Sequence, residues 1–144
     1  MSTDWAGGAR RPLSGGYGPG MPDSRAAARR TTLARRGEDL ACALLGELGL
    51  AVLARNWRCR EGEIDVVAGA AGLLVVCEVK TRRDDGFGTP AAAVTPAKQR
   101  RLRRLAAAYL AQAALGPVQV RFDVVAVTWP LGLAPRVEHL PGAF

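Results

Sequence analysis

Two short apolar segments that carry acids constrain the fold of this chain more than any other feature. The segments Gly62–Val67 and Leu73–Lys80 are rich in Val, Ile and Leu, and the turn-like stretch Ala68–Gly72 joins them. Both are predicted to be strands, and their pairing would form a hairpin. A carboxylate in a strand suited to burial is costly unless it is paired or bound to metal, so these acids predict a site.

Strand periodicity assigns the charged side chains of the hairpin to faces. Successive side chains point to opposite faces of a strand, so Glu63 and Asp65 are predicted to share one face of the first strand. By the same argument, Glu78 and Lys80 share one face of the second strand. Three carboxylates and one ammonium would then meet on one side of the hairpin. The other side is predicted to carry the apolar side chains of Ile64, Val66, Cys77 and Val79.

Net charge favours a polyanionic partner. The 144-residue chain is long enough for one domain with a core, and its formal charge is +7, with 18 Arg and 2 Lys. Such an excess suits nucleic acid or an anionic membrane surface. No apolar run can cross a bilayer and no secretory pattern opens the chain, so a cytoplasmic protein without a membrane partner is expected. Three scattered cysteines and one histidine argue against a disulfide framework and a zinc site.

Composition divides the chain into an arm and a domain. Residues 1–28 are predicted to be a disordered N-terminal arm, because a segment rich in Gly, Pro and Ser cannot bury enough apolar surface. Residues 29–144 are predicted to form the domain. Its first helix is expected from about Arg29 to Leu48, with Thr31 or Thr32 as its cap and Gly49 just past its end.

A short strand and a basic segment follow this helix. The strand is predicted over Leu50–Ala54, and the basic segment is Arg55–Arg60 with Trp57 inside it. An aromatic within a basic segment could stack on a base, and it could equally cap the edge of the core.

The second half of the chain predicts a crossover helix and a further strand. Thr95 and Pro96 are typical of a helix start, and this helix is predicted to run to about Ala114. The strand Val118–Thr128 follows, in which Asp123 is expected to pair with Arg121. Five cations crowd the first half of the helix against its macrodipole, which a phosphate-binding surface explains better than a solvated face. The order of elements predicts an α/β domain with a mixed central β-sheet flanked by helices.

Convergence of Asp65 and Glu78 would create a site for Mg²⁺ or Mn²⁺, since hard cations take oxygen ligands and keep several waters. A bound cation stabilises charge on a phosphoryl oxygen and lowers the pKa of coordinated water. Lys80 could position or activate the attacking water, or stabilise the phosphorane. The alternative is a cross-strand salt bridge of Lys80 with Asp65 or Glu63.

Six motifs in order carry a resemblance to a known family. They are Gly37-Glu38, Arg55-Asn56-Trp57-Arg58, Gly62-Glu63-Ile64-Asp65, Glu78-Val79-Lys80-Thr81-Arg82, Gly86-Phe87-Gly88 and Arg121-Phe122-Asp123-Val124-Val125. Together, over roughly residues 30–140, they resemble the YraN-like family of small bacterial proteins. That family is similar to archaeal Holliday-junction resolvases and belongs to the PD-(D/E)xK, or restriction-endonuclease-like, superfamily.

The resemblance implies a restriction-endonuclease-like core with a metal site at the hairpin. Carried over, Asp65 and Glu78 would be metal ligands and Lys80 the catalytic lysine. Glu38 would match the acid that completes the metal site in resolvase-like members. Ile64 stands where the superfamily's name has proline, which leaves the acids intact.

The resulting hypothesis is a Mg²⁺-dependent endonuclease that hydrolyses DNA phosphodiester bonds, with branched or damaged DNA as candidate substrates. A homodimer would be in keeping with resolvase-like relatives. The alternatives are a nucleic-acid-binding module without catalysis and a protein-interaction module whose acids are structural. The residues predicted to hold the nucleic-acid backbone are Arg58, Arg82, Lys98, Arg101 and Arg104.

Overall fold

A computed structural model of the chain describes residues 24–84, 89, 92 and 94–144. Residues 1–23 of the predicted arm and the Gly86-Phe87-Gly88 motif lie outside the described residues. No helix in the described ranges is long and apolar enough to cross a membrane. The elements are α1 (Ser24–Glu47), β1 (Ala51–Cys59), β2 (Gly62–Ala70), β3 (Leu73–Arg82), α2 (Pro96–Ala113), β4 (Gln119–Thr128) and β5 (Arg136–Leu140).

The sheet has five strands in the order β1-β2-β3-β4-β5. Every neighbouring pair is antiparallel except β3 and β4, which are parallel. Parallel strands need a crossover, and α2 supplies it between them. The predicted mixed α/β architecture, with helices flanking a mixed sheet, is therefore confirmed.

The two helices cover opposite faces of the sheet. On β3, Leu74 and Val76 pack in the cluster that contains the α2 residues Leu102 and Leu105. Val75 and Cys77, which alternate with them, pack instead in the cluster around Ala41 and Leu45 of α1. The alternation follows from the two-residue period of a strand. Each face of the sheet thus has a core of its own.

Helix boundaries agree with the sequence more closely at α2 than at α1. The Thr95 side chain accepts a hydrogen bond from the Lys98 N–H at 3.2 Å, as an N-cap does, and Pro96 opens the helix. Helix α1 begins at Ser24, five residues before the predicted start.

The capping prediction for Thr31 and Thr32 is wrong. Their hydroxyls donate to the carbonyls of Ala27 and Ala28, at 3.0 and 2.9 Å, inside the helix. The prediction for Gly49 is confirmed, because its φ of 84° ends the helix in the left-handed region.

Strand β1 runs through the basic segment rather than ending before it. It pairs with β2 as far as Cys59, although Asn56 has a left-handed φ of 50°. Trp57 packs edge-on to Tyr109 of α2, with ring centroids 5.4 Å apart, so it caps the edge of the core. Pairing with β2 extends the strand beyond Ala54, where the predicted strand ends.

One predicted face assignment is wrong. Ile64 packs in the α2 cluster, whereas Val66 packs in the α1 cluster, so the two do not share a face. The residue between them, Asp65, is absent from both of the ladders that flank β2. Regular alternation fails here because the strand is irregular at Asp65, opposite the left-handed Asn56.

Candidate metal and catalytic site

The site lies where β2 and β3 part. Their ladder runs from Ala70 and Leu73 to Val66 and Cys77 and goes no further. Beyond that point β2 continues alongside β1, while β3 continues alongside β4 from Glu78 to Arg82. The sheet therefore forks, and the first residues past the split are Asp65 on one branch and Glu78 on the other.

Asp65 points into the fork. Its Oδ2 accepts a hydrogen bond from the backbone N–H of Val79 at 2.9 Å, in the place where a strand carbonyl would otherwise pair. The carboxylate thus takes over one backbone hydrogen bond of the interrupted ladder. This contact holds Asp65 beside the backbone that carries Glu78 and Lys80.

Glu78 is buried and faces two ammonium groups. Its side chain is 5% exposed, and its Oε1 lies 3.6 Å from Nζ of Lys80 and 3.3 Å from Nζ of Lys98. Lys80 comes from the same strand, two residues on, so the prediction that the two share a face is confirmed. Lys98 comes from the first turn of α2 on that face.

The carboxylates in the fork repel one another. The pKa of Asp65 is raised to about 7, first by burial, then by the charge of Glu78, with a smaller contribution from Glu38. The hydrogen bond from Val79 and the charge of Lys98 act in the opposite direction without cancelling the rise. Asp65 therefore lies in a site whose negative charge the neighbouring groups do not fully balance.

Glu38 reaches the site from helix α1. A Cβ added at the preceding Gly37 would collide with the Thr81 hydroxyl, so the helix lies directly against β3 here. The Oε2 of Glu38 accepts a hydrogen bond from Nδ2 of Asn56 at 3.2 Å. Asn56 tolerates its left-handed backbone better than most residues do, and its side chain ties α1 to the irregular point of β1.

Glu63 does not join the cluster. Its Oε2 lies 3.1 Å from Nε of Arg58, its cross-strand neighbour on β1. The prediction that three acids of the hairpin meet on one face is therefore wrong, because the strand changes face at Asp65. The acid whose charge reaches Asp65 in its place is Glu38, from α1.

The residues predicted to contact nucleic acid lie on different elements of the fold. Arg101 and Arg104 line a cavity of about 360 Å³ with Lys98 and two other residues of the start of α2. Arg104 also lies 3.5 Å from Glu61, and Arg58 is engaged with Glu63 as described. Arg82 ends β3, and its carbonyl accepts a hydrogen bond from the backbone N–H of Trp129 at 2.7 Å.

The donor set of the fork fits a hard divalent ion. Asp65 and Glu78 supply two carboxylates whose mutual repulsion a cation would relieve, and Mg²⁺ commonly binds through one or two carboxylates and several waters. Within the described ranges, no group of three or more His, Cys, Asp or Glu side chains is gathered closely enough to hold a metal. Glu38 is thus held next to the pair rather than within it.

A second acidic centre on β4 is fully paired. Asp123 accepts two hydrogen bonds from Arg121, at 2.8 and 2.9 Å, so the predicted ion pair is confirmed. His139 Nε2 lies 2.8 Å from Oδ2, and the Gly142 N–H donates to Oδ1 at 3.0 Å. Although burial alone would raise the pKa of Asp123, Arg121 and then Gly142 and His139 hold it below its usual range.

Sequence reasoning missed two contacts of the site. In the sequence, Asn56 stands out only as part of a motif, and local periodicity carries no signal for its left-handed backbone beside Glu38. Lys98 was predicted as a backbone contact for nucleic acid, whereas the structure places its ammonium on Glu78. That contact depends on where the crossover sets the start of α2.

The part of the chain that carries the site matches a protein-family model. Residues 37–127 match the model of the family described as Uncharacterised protein family UPF0102. A UPF0102 protein of Acidothermus cellulolyticus is 49% identical over 128 residues, which cover 82% of this chain and 97% of that protein. One from Streptomyces griseus is 54% identical over 114 residues (78% and 96%), and one from Geobacter sulfurreducens is 46% identical over 124 residues (86% and 97%).

Proposed function

The chain belongs to the UPF0102 (YraN) family, and from that premise we propose that it is a metal-dependent endonuclease that hydrolyses DNA phosphodiester bonds. The observation that carries the proposal is the fork, where Asp65 and Glu78 are the first residues past the split, Asp65 accepts the Val79 N–H, and an ammonium lies against Glu78. We further assign the sheet and its two helices to the restriction-endonuclease-like fold. The metal would be Mg²⁺ or Mn²⁺.

Each residue of the fork has a role in this proposal. Asp65 and Glu78 would hold the ion, and Glu38, which accepts a hydrogen bond from Asn56, would add a third carboxylate next to the pair. A bound divalent ion would lower the pKa of its water and stabilise charge on a phosphoryl oxygen. The Lys80 ammonium, 3.6 Å from Glu78, orients the attacking water or the phosphate oxygen.

The reaction is hydrolysis and needs no other reactant. The water oxygen bonds to phosphorus, one phosphorus–oxygen ester bond breaks, and a water proton ends on the leaving oxygen. The products are a phosphate monoester and an alcohol. Burial of Glu78 keeps its carboxylate away from bulk water, which strengthens its interaction with Lys80 and would strengthen its interaction with a bound ion.

Positive charge on α2 supports a nucleic-acid substrate. Lys98, Arg101 and Arg104 follow one another at three-residue spacing and line one cavity, and the Lys98 ammonium also lies 3.3 Å from Oε1 of Glu78. A phosphate backbone bound along this row would lead to the fork. Arg58 and Arg82 are proposed as further backbone contacts. Such contacts read the backbone rather than base edges, so we expect selection by DNA structure, with branched or damaged DNA as candidates.

The setting follows from the substrate. A protein that acts on bacterial DNA works in the cytoplasm, and a homodimer would cut both strands of a branched substrate. The cytoplasmic setting and the homodimer are parts of the proposal. Sedimentation of the full chain with and without a DNA junction measures whether it forms a homodimer.

The proposal is tested by cleavage of labelled DNA. Purified protein is incubated with Mg²⁺ or Mn²⁺ and duplex, four-way-junction or single-stranded DNA, and chelator is the control. We expect cleavage that falls at least about 100-fold in Asp65→Asn, Glu78→Gln and Lys80→Ala. Glu138→Gln is the control, because Glu138 is exposed on β5, the edge strand of the sheet, and has no role in the proposal. No cleavage of any substrate by the wild type would overturn the proposal.

A second candidate is a nucleic-acid-binding module that does not cut. The net charge of +7 and the cationic row on α2 favour it, since neither depends on the acids of the fork. It predicts binding that weakens steeply with salt and survives Glu78→Gln and Lys80→Ala. A protein-interaction module, by contrast, predicts that Asp65→Asn changes stability but neither metal nor DNA affinity.

A further inference from the structure

Glu78 is held between two lysines that come from different elements. Both ammonium groups approach the same oxygen, Oε1, and the closer one belongs to Lys98 of α2, at 3.3 Å against 3.6 Å for Lys80. A carboxylate that is 5% exposed needs its charge balanced by neighbours rather than by water. Lys98 is therefore part of the environment of Glu78, and not only a surface cation of α2.

The fold positions both the backbone and the side chain of Lys98. Its backbone N–H donates to the Thr95 side chain at 3.2 Å, which sets the start of α2 over the fork. Its side chain is 31% exposed and borders the cavity of about 360 Å³ that Arg101 and Arg104 also line. One flexible ammonium can thus reach either the buried carboxylate or the cationic cavity.

We propose that Lys98 is a second lysine of the active centre, which couples metal binding to phosphate binding. Its ammonium competes with the divalent ion for Oε1 of Glu78. If Glu78 held a divalent ion, repulsion between the two cations would turn the Lys98 ammonium towards the cavity, where it would contact the substrate phosphate. This inference rests on the proposed metal and nucleic-acid functions of the same site.

The two lysines differ in what they connect. Lys80 and Glu78 belong to one strand, so their separation is set by β3 alone. Lys98 belongs to the crossover helix that also carries Arg101 and Arg104, so its movement links the ion to the cationic row. Loss of Lys98 should therefore change how strongly the metal promotes DNA binding, which loss of a simple backbone contact would not do.

The first readout is metal affinity without DNA. We expect Lys98→Met, which keeps most of the apolar stem, to bind Mn²⁺ about tenfold more tightly than the wild type, because a competing cation has been removed. Arg100→Met is the matched control: it removes one charge from an exposed position two residues along the same helix, and should change Mn²⁺ affinity less than about twofold. Equal affinities of the two variants for Mn²⁺ would overturn the inference.

The second readout is the coupling between metal and DNA. The affinity for a labelled four-way junction is measured with Ca²⁺ and with chelator, so that binding is followed without cleavage. We expect Ca²⁺ to tighten junction binding by about tenfold or more in the wild type and in Arg100→Met, and by less than about threefold in Lys98→Met. Retained coupling in Lys98→Met contradicts the proposed role.

The outcomes separate this inference from the function on which it rests. Wild-type protein that binds Mn²⁺ and junction but cuts nothing overturns the nuclease proposal, while the two binding readouts still decide the role of Lys98. Wild-type protein that cuts DNA, together with a Lys98→Met variant whose metal affinity and coupling match Arg100→Met, overturns the role of Lys98 alone. Protein that binds no Mn²⁺ overturns both.

Discussion

Asp123 and Asp65 lie in the same sheet and are satisfied in opposite ways. Asp123 is fully buried and accepts hydrogen bonds from Arg121 and Gly142, with His139 against it, so its pKa lies below its usual range. Asp65 accepts one hydrogen bond, from the Val79 N–H, and its pKa is raised to about 7, first by burial and then by the charge of Glu78. The negative charge of an aspartate is thus balanced by its neighbours in β4 and is not fully balanced in β2.

The difference separates structural acids from candidate functional ones. A carboxylate whose hydrogen bonds are all made by the chain has no capacity left for a ligand, and it joins the elements around it. A carboxylate that faces other carboxylates raises the free energy of the fold unless a proton or a cation is bound. Burial alone does not mark a site, therefore, but burial beside uncompensated charge does.

The largest expected effect tests the balanced centre. Asp123→Ala leaves Arg121 and His139 without their partner and removes the link from β4 to the Gly142 N–H, so we expect the free energy of unfolding to fall by about 3–5 kcal/mol. Urea denaturation measures it. Glu138→Ala, on the exposed surface of β5, is the control and should change stability by less than about 0.5 kcal/mol. A loss below about 1 kcal/mol for Asp123→Ala would contradict a structural role.

Removing the charge of Asp65 in the fork should raise the free energy of unfolding above neutral pH, whereas removing Asp123 lowers it. A carboxyl group whose pKa is raised on folding stabilises the fold below its unfolded pKa of 3.8, and that stability is lost as pH rises through about 7. With chelator present, Asp65→Asn should therefore unfold at nearly the wild-type free energy at pH 4. At pH 8 it should be more stable than the wild type by about 1–2 kcal/mol, a value discounted for coupling with Glu78.

Addition of Mg²⁺ is the control experiment for this pH dependence. Asn keeps an oxygen that can accept the Val79 N–H, so the variant tests charge rather than shape. Saturating Mg²⁺ should stabilise the wild type at pH 8 and not Asp65→Asn, and the difference between them should shrink or reverse. If Asp65→Asn is less stable than the wild type at pH 8 with chelator, then the charge of Asp65 is balanced by its neighbours, as that of Asp123 is. The proposed difference between the two acids would then be wrong.

The sequence could predict those features of the two acidic centres that depend on residues close together in the chain. The hairpin followed from two short segments rich in Val, Ile and Leu with a turn-like stretch between them, and the start of α2 followed from Thr95 and Pro96, each within a few residues. The pair of Arg121 and Asp123 followed from strand alternation, since the two are neighbours on one face. Asp65 and Glu78 could be named because acids are conspicuous in otherwise apolar strands.

What could not be predicted depends on distant parts of the chain. The face of Ile64 depends on an irregularity of β2 at Asp65, opposite the left-handed Asn56 of β1. The proximity of Glu38, which only the family resemblance predicted, depends on the packing of α1 against Thr81. The part of His139 in the Asp123 centre requires β5 to pair with β4. Alternation within a single strand contains none of this information.

The smallest expected effect concerns the backbone beside the fork. Asn56 has a φ of 50°, a conformation that costs a non-glycine residue roughly 1 kcal/mol, and its side chain holds Glu38. Asn56→Ala should lower the free energy of unfolding by about 1 kcal/mol, because Ala tolerates this φ less well. Asn56→Gly should leave stability within about 0.5 kcal/mol of the wild type, since Gly adopts it freely. Chemical denaturation of both variants measures the difference.

The two substitutions at Asn56 separate strain from function, because both remove the donor to Glu38 while only one increases strain. If the irregularity serves the metal site, Asn56→Gly should be nearly as stable as the wild type and still bind Mn²⁺ several-fold more weakly, as loss of an outer-shell partner does. Asn56→Ala should show the same loss of metal affinity together with its loss of stability. Wild-type Mn²⁺ affinity in Asn56→Gly would mean that Asn56 only shapes the strand, and Glu38 would then belong with the structural acids.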